Sequence, residues 1–256
     1  MAHNPALGSA LVTGAAVRIG RAIALDLAEA GYAVAIHYRN SASAAEENVR
    51  VIEAKGGRAV ALRAELADHA EVEALVPRAI TALGPMSVLV NNASIFEFET
   101  AESATRESWD RHVAVNLRAP LFLAQAFARS SGTGAVGNVI NMLDERVWHL
   151  TPYYTSYTLT KAGLWTLTKT LAQAFAPRIR VNAVGPGPTL RNALQSEADF
   201  AEQCAAMPLG RGTSPAEICA AIRFILGSPA LTGQMIALDG GQHLEWRTVD
   251  KKRITD

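Results

Sequence analysis

The chain has no excess of charge of either sign: 24 basic residues face 24 acidic ones. That balance argues against a nucleic acid or an acidic membrane surface as partner. It also has no apolar run near the roughly 18 residues that a membrane span needs. Cysteine is scarce. Cys204 and Cys219, the only two, lie late in the chain at no metal-ligand spacing. They read as two thiols of a reduced protein, with no disulfide framework and no metal centre. The opening Met-Ala-His-Asn-Pro carries neither a basic n-region nor an apolar h-region, so the expectation is a cytoplasmic protein without an export signal. No linker or shift in composition divides the 256 residues, which are therefore expected to form a single domain.

Material for a core is plentiful, with 49% apolar and 19% charged residues. Short β-rich runs read as strands at Ala10–Thr13, Ala33–Tyr38, Ala59–Glu65, Ser87–Asn91, Val136–Met142, Ile179–Val184 and Met235–Leu238. Helical patterns fall between them, near 19–30, 43–54, 69–83, 104–130, 153–176 and 214–227. Such alternation predicts an α/β fold, with a doubly wound parallel seven-stranded sheet and helices on both faces. Residues 185–213, rich in Pro and Gly, read as one long irregular stretch and a functional lid.

Two segments carry chemistry. In Tyr157-Thr158-Leu159-Thr160-Lys161, a separation of four puts phenol and ammonium on one helical face. An ammonium beside a phenol, whose ordinary pKa is about 10, is expected to lower that value and make a usable acid or base. The second segment is Thr13-Gly14-Ala15-Ala16-Val17-Arg18-Ile19-Gly20, straight after the apolar run Ala10-Leu11-Val12 and just before a helix. Strand, glycine-containing turn and helix is the setting in which backbone N–H groups hold a pyrophosphate, although only two of the three glycines of GxGxxG are present.

With TGAAVRIG at 13–20, NNAS at 91–94, VNL at 115–117, YTLTK at 157–161, VGPGPT at 184–189 and LDGG at 238–241, nearly the whole chain resembles the short-chain dehydrogenase/reductases. The resemblance implies a Rossmann-like fold, cofactor-binding mainly over 8–145. Catalytic residues and the lid would lie over 144–213, and a C-terminal helix, strand and tail over 214–256. It implies that Tyr157 protonates the reduced substrate and that Lys161 also holds the nicotinamide ribose. Asn116 would bend its helix and complete a proton relay with Lys161. Gly14, Arg18, Ile19, Gly20, Tyr38, Arg39, Ser41, Glu65, Leu66, Asn92, Ala93, Ser94, Pro186, Gly187 and Thr189 would join Tyr157 and Lys161 around the cofactor, with Asn91 in support. Relatives of this kind pair through the helices at 104–130 and 153–176. A homotetramer is expected from apolar Leu117, Leu121, Phe122 and Phe127 on the first helix, and from Leu164, Leu167, Leu171 and Phe175 on the second.

Two departures narrow the subfamily. Asp144 stands where the family usually has a Ser, thirteen residues before the Tyr, and Arg18 replaces the middle glycine of the first turn. Both are shared with the pteridine reductases, as are His37-Tyr38-Arg39 with Ser41 behind, and Phe96 after Asn91-Asn92-Ala93-Ser94-Ile95. Arg18, Ser94, Phe96, Asp144 and Tyr157 are then the expected substrate contacts, with Phe96 stacking on a pterin. Phe96 as plain core packing fits the sequence equally well. The position that selects NAD when acidic is Tyr38, and Arg39 beside it can meet a 2′-phosphate, so the expected cofactor is NADPH. The leading expectation is a reductase of pterins or dihydrofolate. A carbonyl reductase of 3-oxoacyl thioesters or small ketones is the alternative, and a non-catalytic NADP-binding regulator the third. Trp148 and His149 could line the pocket. His3, His69, His112 and His243 read as surface or satisfied histidines, and Lys251-Lys252-Arg253 as a solvated tail.

Overall fold

A computed structural model describes residues 7–130, 136–192 and 195–245. Seven strands form one parallel sheet: β1 (Ser9–Val12), β2 (Ala33–Tyr38), β3 (Ala59–Arg63), β4 (Met86–Asn91), β5 (Gly137–Met142), β6 (Ile179–Pro186) and β7 (Met235–Leu238). Their spatial order is β3-β2-β1-β4-β5-β6-β7. The chain therefore winds outward from β1 to β3, crosses back to β4, and winds outward again to β7. The reversal lies between β1 and β4, and the carboxyl ends of those strands open a crevice there.

Both faces of the sheet are covered, which is why its strands are mostly apolar on both sides and do not alternate. Ala10, Leu11 and Val12 of β1 and Val88, Leu89 and Val90 of β4 are fully buried. One face packs on α3 (His69–Leu83), α5 (Ala119–Ser130) and α6 (Thr155–Phe175), through Leu75, Leu123, Phe127 and Leu171. The other packs on α1 (Arg18–Glu29), α2 (Ala42–Ala54) and α8 (Pro215–Leu226), through Ile23, Leu27, Ile52, Ile218 and Ile222. Among the described residues no helix is long and apolar enough to cross a membrane.

Two readings are refined. The helical pattern over 104–130 is α4 (Arg106–Val113), a π-helical turn at Ala114–Arg118 that contains Asn116, where a bend was expected, and α5. Pro120 explains the change of winding: it has no N–H to offer the carbonyl four residues back, and its ring crowds that carbonyl. The stretch 185–213 is not irregular throughout. It holds α7 (Glu197–Ala205), started by a capping box in which the Ser196 side chain accepts from the Asp199 N–H and Asp199 accepts from the Ser196 N–H. Of the helix residues expected to form an interface, Phe127, Leu164 and Leu171 are buried in the chain's own core. Leu117, Leu121, Phe122, Leu167 and Phe175 are only partly buried. His3 and Lys251-Lys252-Arg253 lie outside the described residues.

Candidate active site

At the end of β1 the backbone turns sharply into α1. Gly14 has φ +62, and a Cβ on Gly20 would lie 2.2 Å from the Gly14 carbonyl, so both glycines are required by the turn. Neighbouring strand ends hold it in place. Asn92 donates from Nδ2 to the carbonyls of Thr13 at 2.8 Å and Gly14 at 3.2 Å. Thr13 Oγ1 accepts from the Asn92 and Ala93 N–H groups at 2.9 and 3.0 Å. His37 binds from β2, where its Nδ1 accepts from the Gly14 N–H at 2.9 Å while Nε2 meets the Ala64 carbonyl at 3.0 Å. Burial lowers the pKa of this ring to about 4, so it is neutral at physiological pH and can be acceptor at one nitrogen and donor at the other. Sequence reasoning gave His37 no role. Its signal was a lone His inside an apolar strand, one register step from the turn.

The N-cap of α1, Val17, makes no side-chain cap, which leaves the first N–H groups of the helix available to an anion. They face a cavity of about 370 Å³, whose wall includes Gly14, Arg18, Ile19, Gly20, Arg39, Glu65, Leu66, Asn92, Ala93 and Ser94. An uncapped helix start, a glycine turn and a long crevice suit a dinucleotide. Arg39, half exposed, is 3.9 Å from Glu65. Tyr38 packs on the core, and neither it nor Ser41, the N-cap of α2, belongs to this wall. Arg18 takes the left-handed conformation expected of the missing glycine, at φ +55. Its guanidinium donates to the carbonyls of Leu190 and Arg191 at 3.0 and 2.9 Å, tying the turn to the segment after β6.

Continuous with this cavity, sharing Arg18, Ile19, Asn92 and Ser94, is a second of about 270 Å³. Asp144, Tyr157 and Lys161 line it from one side, and Pro186, Gly187 and Thr189 from another. Tyr157 donates its hydroxyl to Asp144 Oδ2 at 2.7 Å. Lys161, buried one turn further along α6, donates to the Met142 carbonyl at 2.7 Å, and burial lowers its pKa to about 8. The expected lowering of the Tyr157 pKa by Lys161 does not occur in this arrangement. Burial, and then the Asp144 carboxylate it donates to, hold the phenol well above its usual range.

Asn116 sits in the π turn, where the changed winding aims its side chain inward. Its Oδ1 accepts from the Ile95 N–H at 2.8 Å, and its Nδ2 donates to the Ile95 carbonyl at 2.9 Å and to Thr160 Oγ1 at 3.2 Å. It thus fixes the segment after β4 against α6 and makes no direct bond to Lys161. Asn91 is buried and donates to Asn141 at 2.8 Å, away from the crevice.

Phe96 lines the second cavity and is not core. It stacks on Tyr154 with centroids 4.3 Å apart, and meets Tyr157 edge-on at 4.7 Å. Two neighbours of Asp144 went unread in the sequence. Arg146 donates from Nη1 to Asp144 at 3.2 Å. Glu145 is buried, and burial followed by the nearby Asp144 pushes its pKa up to about 8. Glu99, also unread, accepts from the Ser156 N–H at 2.5 Å and so caps the first turn of α6, which carries Tyr157. The signal for all three was charge in otherwise apolar surroundings. Trp148 and His149 are absent from the cavity wall: Trp148 packs edge-on against Trp165 and His243. His243 has a partner, Asp239, at 2.6 Å.

This fold and site belong to a known class. The family model described as "Enoyl-(Acyl carrier protein) reductase", of the short-chain dehydrogenase/reductase kind, matches residues 14–243. The chain belongs to the short-chain dehydrogenase/reductase family and is an oxidoreductase. Among curated relatives, the 3-oxoacyl-[acyl-carrier-protein] reductase FabG of Staphylococcus aureus is 36% identical over 254 residues, covering 92% of this chain and 98% of that protein. An uncharacterized oxidoreductase of Methylorubrum extorquens is 35% identical, covering 91% and 96%. Among solved structures, FolM alternative dihydrofolate reductase 1 from Brucella suis, in complex with NADP, superposes with a TM-score of 0.92 at 45% identity, covering 94% and 97%. A blue fluorescent protein from a metagenomic library, in complex with NADPH, gives 0.85 at 34%, covering 91% and 97%.

Proposed function

We propose that this protein is an NADPH-dependent reductase of a pterin or dihydrofolate-type C=N bond. The observation that carries the reading is the 2.7 Å bond from the Tyr157 hydroxyl to Asp144, a carboxyl group where a carbonyl reductase has a hydroxyl. When bound, NADPH supplies the hydride. The chain supplies the proton that the ring nitrogen needs. Tyr157 passes its hydroxyl proton to that nitrogen, and a solvent proton relayed through the Asp144 carboxylate returns one to the Tyr157 oxygen, so phenolate does not build up in a site that disfavours it. Lys161 would hold the nicotinamide ribose, the α1 N-terminus the pyrophosphate, and Arg39 the 2′-phosphate, with Arg18 at the junction of both cavities. Ser94 and the free edge of Phe96 face the substrate. A flat ring with polar edges suits a wall of aromatic and carboxylate groups.

The likeness to the Brucella suis FolM structure supports this reading. The likeness to FabG supports a second one, reduction of a 3-oxoacyl thioester, and Asp144 weighs against it because a ketone oxygen is better held by a hydroxyl. The test is NADPH oxidation by the purified protein with dihydrobiopterin, dihydromonapterin, dihydrofolate and a 3-oxoacyl thioester. Turnover of a pterin or folate is expected. Turnover of the thioester alone overturns the assignment.

A homotetramer is part of the proposal. A groove of about 420 Å³ between α4–α5 and α6, lined by Val113, Leu117, Leu121, Gly163 and Leu167, is almost wholly apolar and suits a second copy of the same helices. Light scattering at micromolar concentration is expected to give four chains per particle, and a monomer counts against it.

A further inference from the structure

Arg146 belongs to the wall of the second cavity and not to that of the first. Its backbone N–H donates to Asp144 Oδ1 at 3.0 Å, and its Nη1 donates to Oδ1 and Oδ2 at 3.2 and 3.4 Å. The remaining bond to that carboxylate comes from Tyr157. Without the Arg146 guanidinium, only the residue 146 backbone N–H and the Tyr157 hydroxyl remain to hold the Asp144 carboxylate, whose terminal torsion is otherwise broad. The same guanidinium lies 5.6 Å from the centre of the Phe96 ring and 5.3 Å from that of Tyr154. A single cation thus touches both the carboxylate of the proton route and the aromatic layer over which a substrate would seat.

A purely structural role accounts poorly for this residue. Its Nε is buried without a hydrogen-bond partner, so the side chain is not held there by a full set of structural bonds. Burial opposes the charge on the guanidinium, and Asp144 and Glu145 beside it more than offset that. Its Nη1 is 3.7 Å from Glu145 Oε1, so the cation sits between the two acids.

We propose that Arg146 is a positioning residue for proton delivery. It fixes the Asp144 carboxyl against the Tyr157 hydroxyl, and it stabilises the carboxylate left once Asp144 has given up its proton. The balance is simple. The O–H bond of Tyr157 breaks as an N–H bond forms on the substrate; a solvent proton bonds to the Asp144 carboxylate, and that O–H bond breaks as that of Tyr157 re-forms. Asp144 is left as the carboxylate it began as, and no electrons pass through the protein. This inference rests on the proton route proposed above and not on which substrate is reduced.

The experiment is a double-mutant cycle of Arg146→Gln with Asp144→Ser, plus Arg146→Lys, followed in kcat, KM and NADPH affinity. The substrate is whichever of the four assayed molecules the wild type turns over, so a wrong substrate class and a wrong role for Arg146 give separate results. Arg146→Gln is expected to lower kcat about 10–100-fold in the wild-type background and less than about threefold in the Asp144→Ser background, the coupling expected of groups in one network. NADPH affinity should hold, and Arg146→Lys should recover part of the rate. A crystal structure of Arg146→Gln, expected to show Asp144 turned away from Tyr157, reads the same point without turnover. Equal losses in both backgrounds, or an unchanged Asp144–Tyr157 bond together with an unchanged kcat, would overturn the proposal.

Discussion

The two cavities are built from different materials. The first is made largely of backbone and neutral side chains: a glycine turn, an uncapped helix start, and the amide and imidazole groups of Asn92 and His37. The second concentrates ionisable groups, with Asp144, Glu145, Arg146, Tyr157 and Lys161 on one wall. Backbone dipoles hold a ligand without changing state, whereas coupled ionisable groups can move a proton. Damage to the first is therefore expected to appear as lost affinity, and damage to the second as lost rate.

The largest effect should come from Tyr157→Phe, which deletes the proton donor and little volume. A loss of about 10²–10⁴-fold in kcat is expected with NADPH still bound, the usual worth of a general acid. A loss under tenfold, with chemistry shown to limit the rate, refutes the assignment. Lys161→Ala should break the division between the cavities, because the proposal gives Lys161 both the ribose and the dyad. Rate and cofactor affinity should fall together, and a change in only one of them limits its role to that one.

Glu145 sharpens the comparison through stability. Its folded pKa of about 8 lies above the ordinary 4.5, so the native state holds a proton that the unfolded chain releases. The stability this confers is fully present below pH 4.5 and is lost as pH rises through about 8. Glu145→Gln should therefore flatten the pH dependence of thermal unfolding, gaining on the order of 4 kcal/mol over wild type at pH 8. Parallel melting-temperature profiles for the two proteins between pH 5 and 8 would contradict this.

A smaller effect is expected at the cofactor end. If Arg39 meets the 2′-phosphate as proposed, Arg39→Ala removes a charge-assisted contact worth about 1.5–3 kcal/mol, so NADPH should weaken while NADH is unaffected. The contrast is clean because Arg39 lines only the first cavity. Equal weakening of both cofactors assigns it a structural role instead.

The sheet was legible in the sequence because its strands are apolar on both sides and end at turn residues, so period and punctuation agree. A bend at Asn116 followed from the family resemblance, but the π winding itself did not, because Pro120 acts four residues back, at the carbonyl of Asn116. In the site, spacing brought Asp144, Tyr157 and Lys161 together. The electrostatics did not follow from spacing, because the sign of the shift at Tyr157 depends on whether its hydroxyl meets Asp144 or Lys161. The roles of Arg146 and His37 were not legible for a related reason: each acts through a hydrogen bond that no periodicity encodes, Arg146 within its own turn and His37 on the glycine turn after β1.

Asp144 carries the central claim, and Asp144→Ser tests it most directly. Steady-state reduction of dihydrobiopterin by wild type and Asp144→Ser, with NADPH affinity measured alongside, should show kcat falling about 10²-fold or more at unchanged cofactor affinity. Pterin reduction retained within about threefold, or a wild type that reduces 3-oxoacyl thioesters well and no pterin at all, would contradict the account.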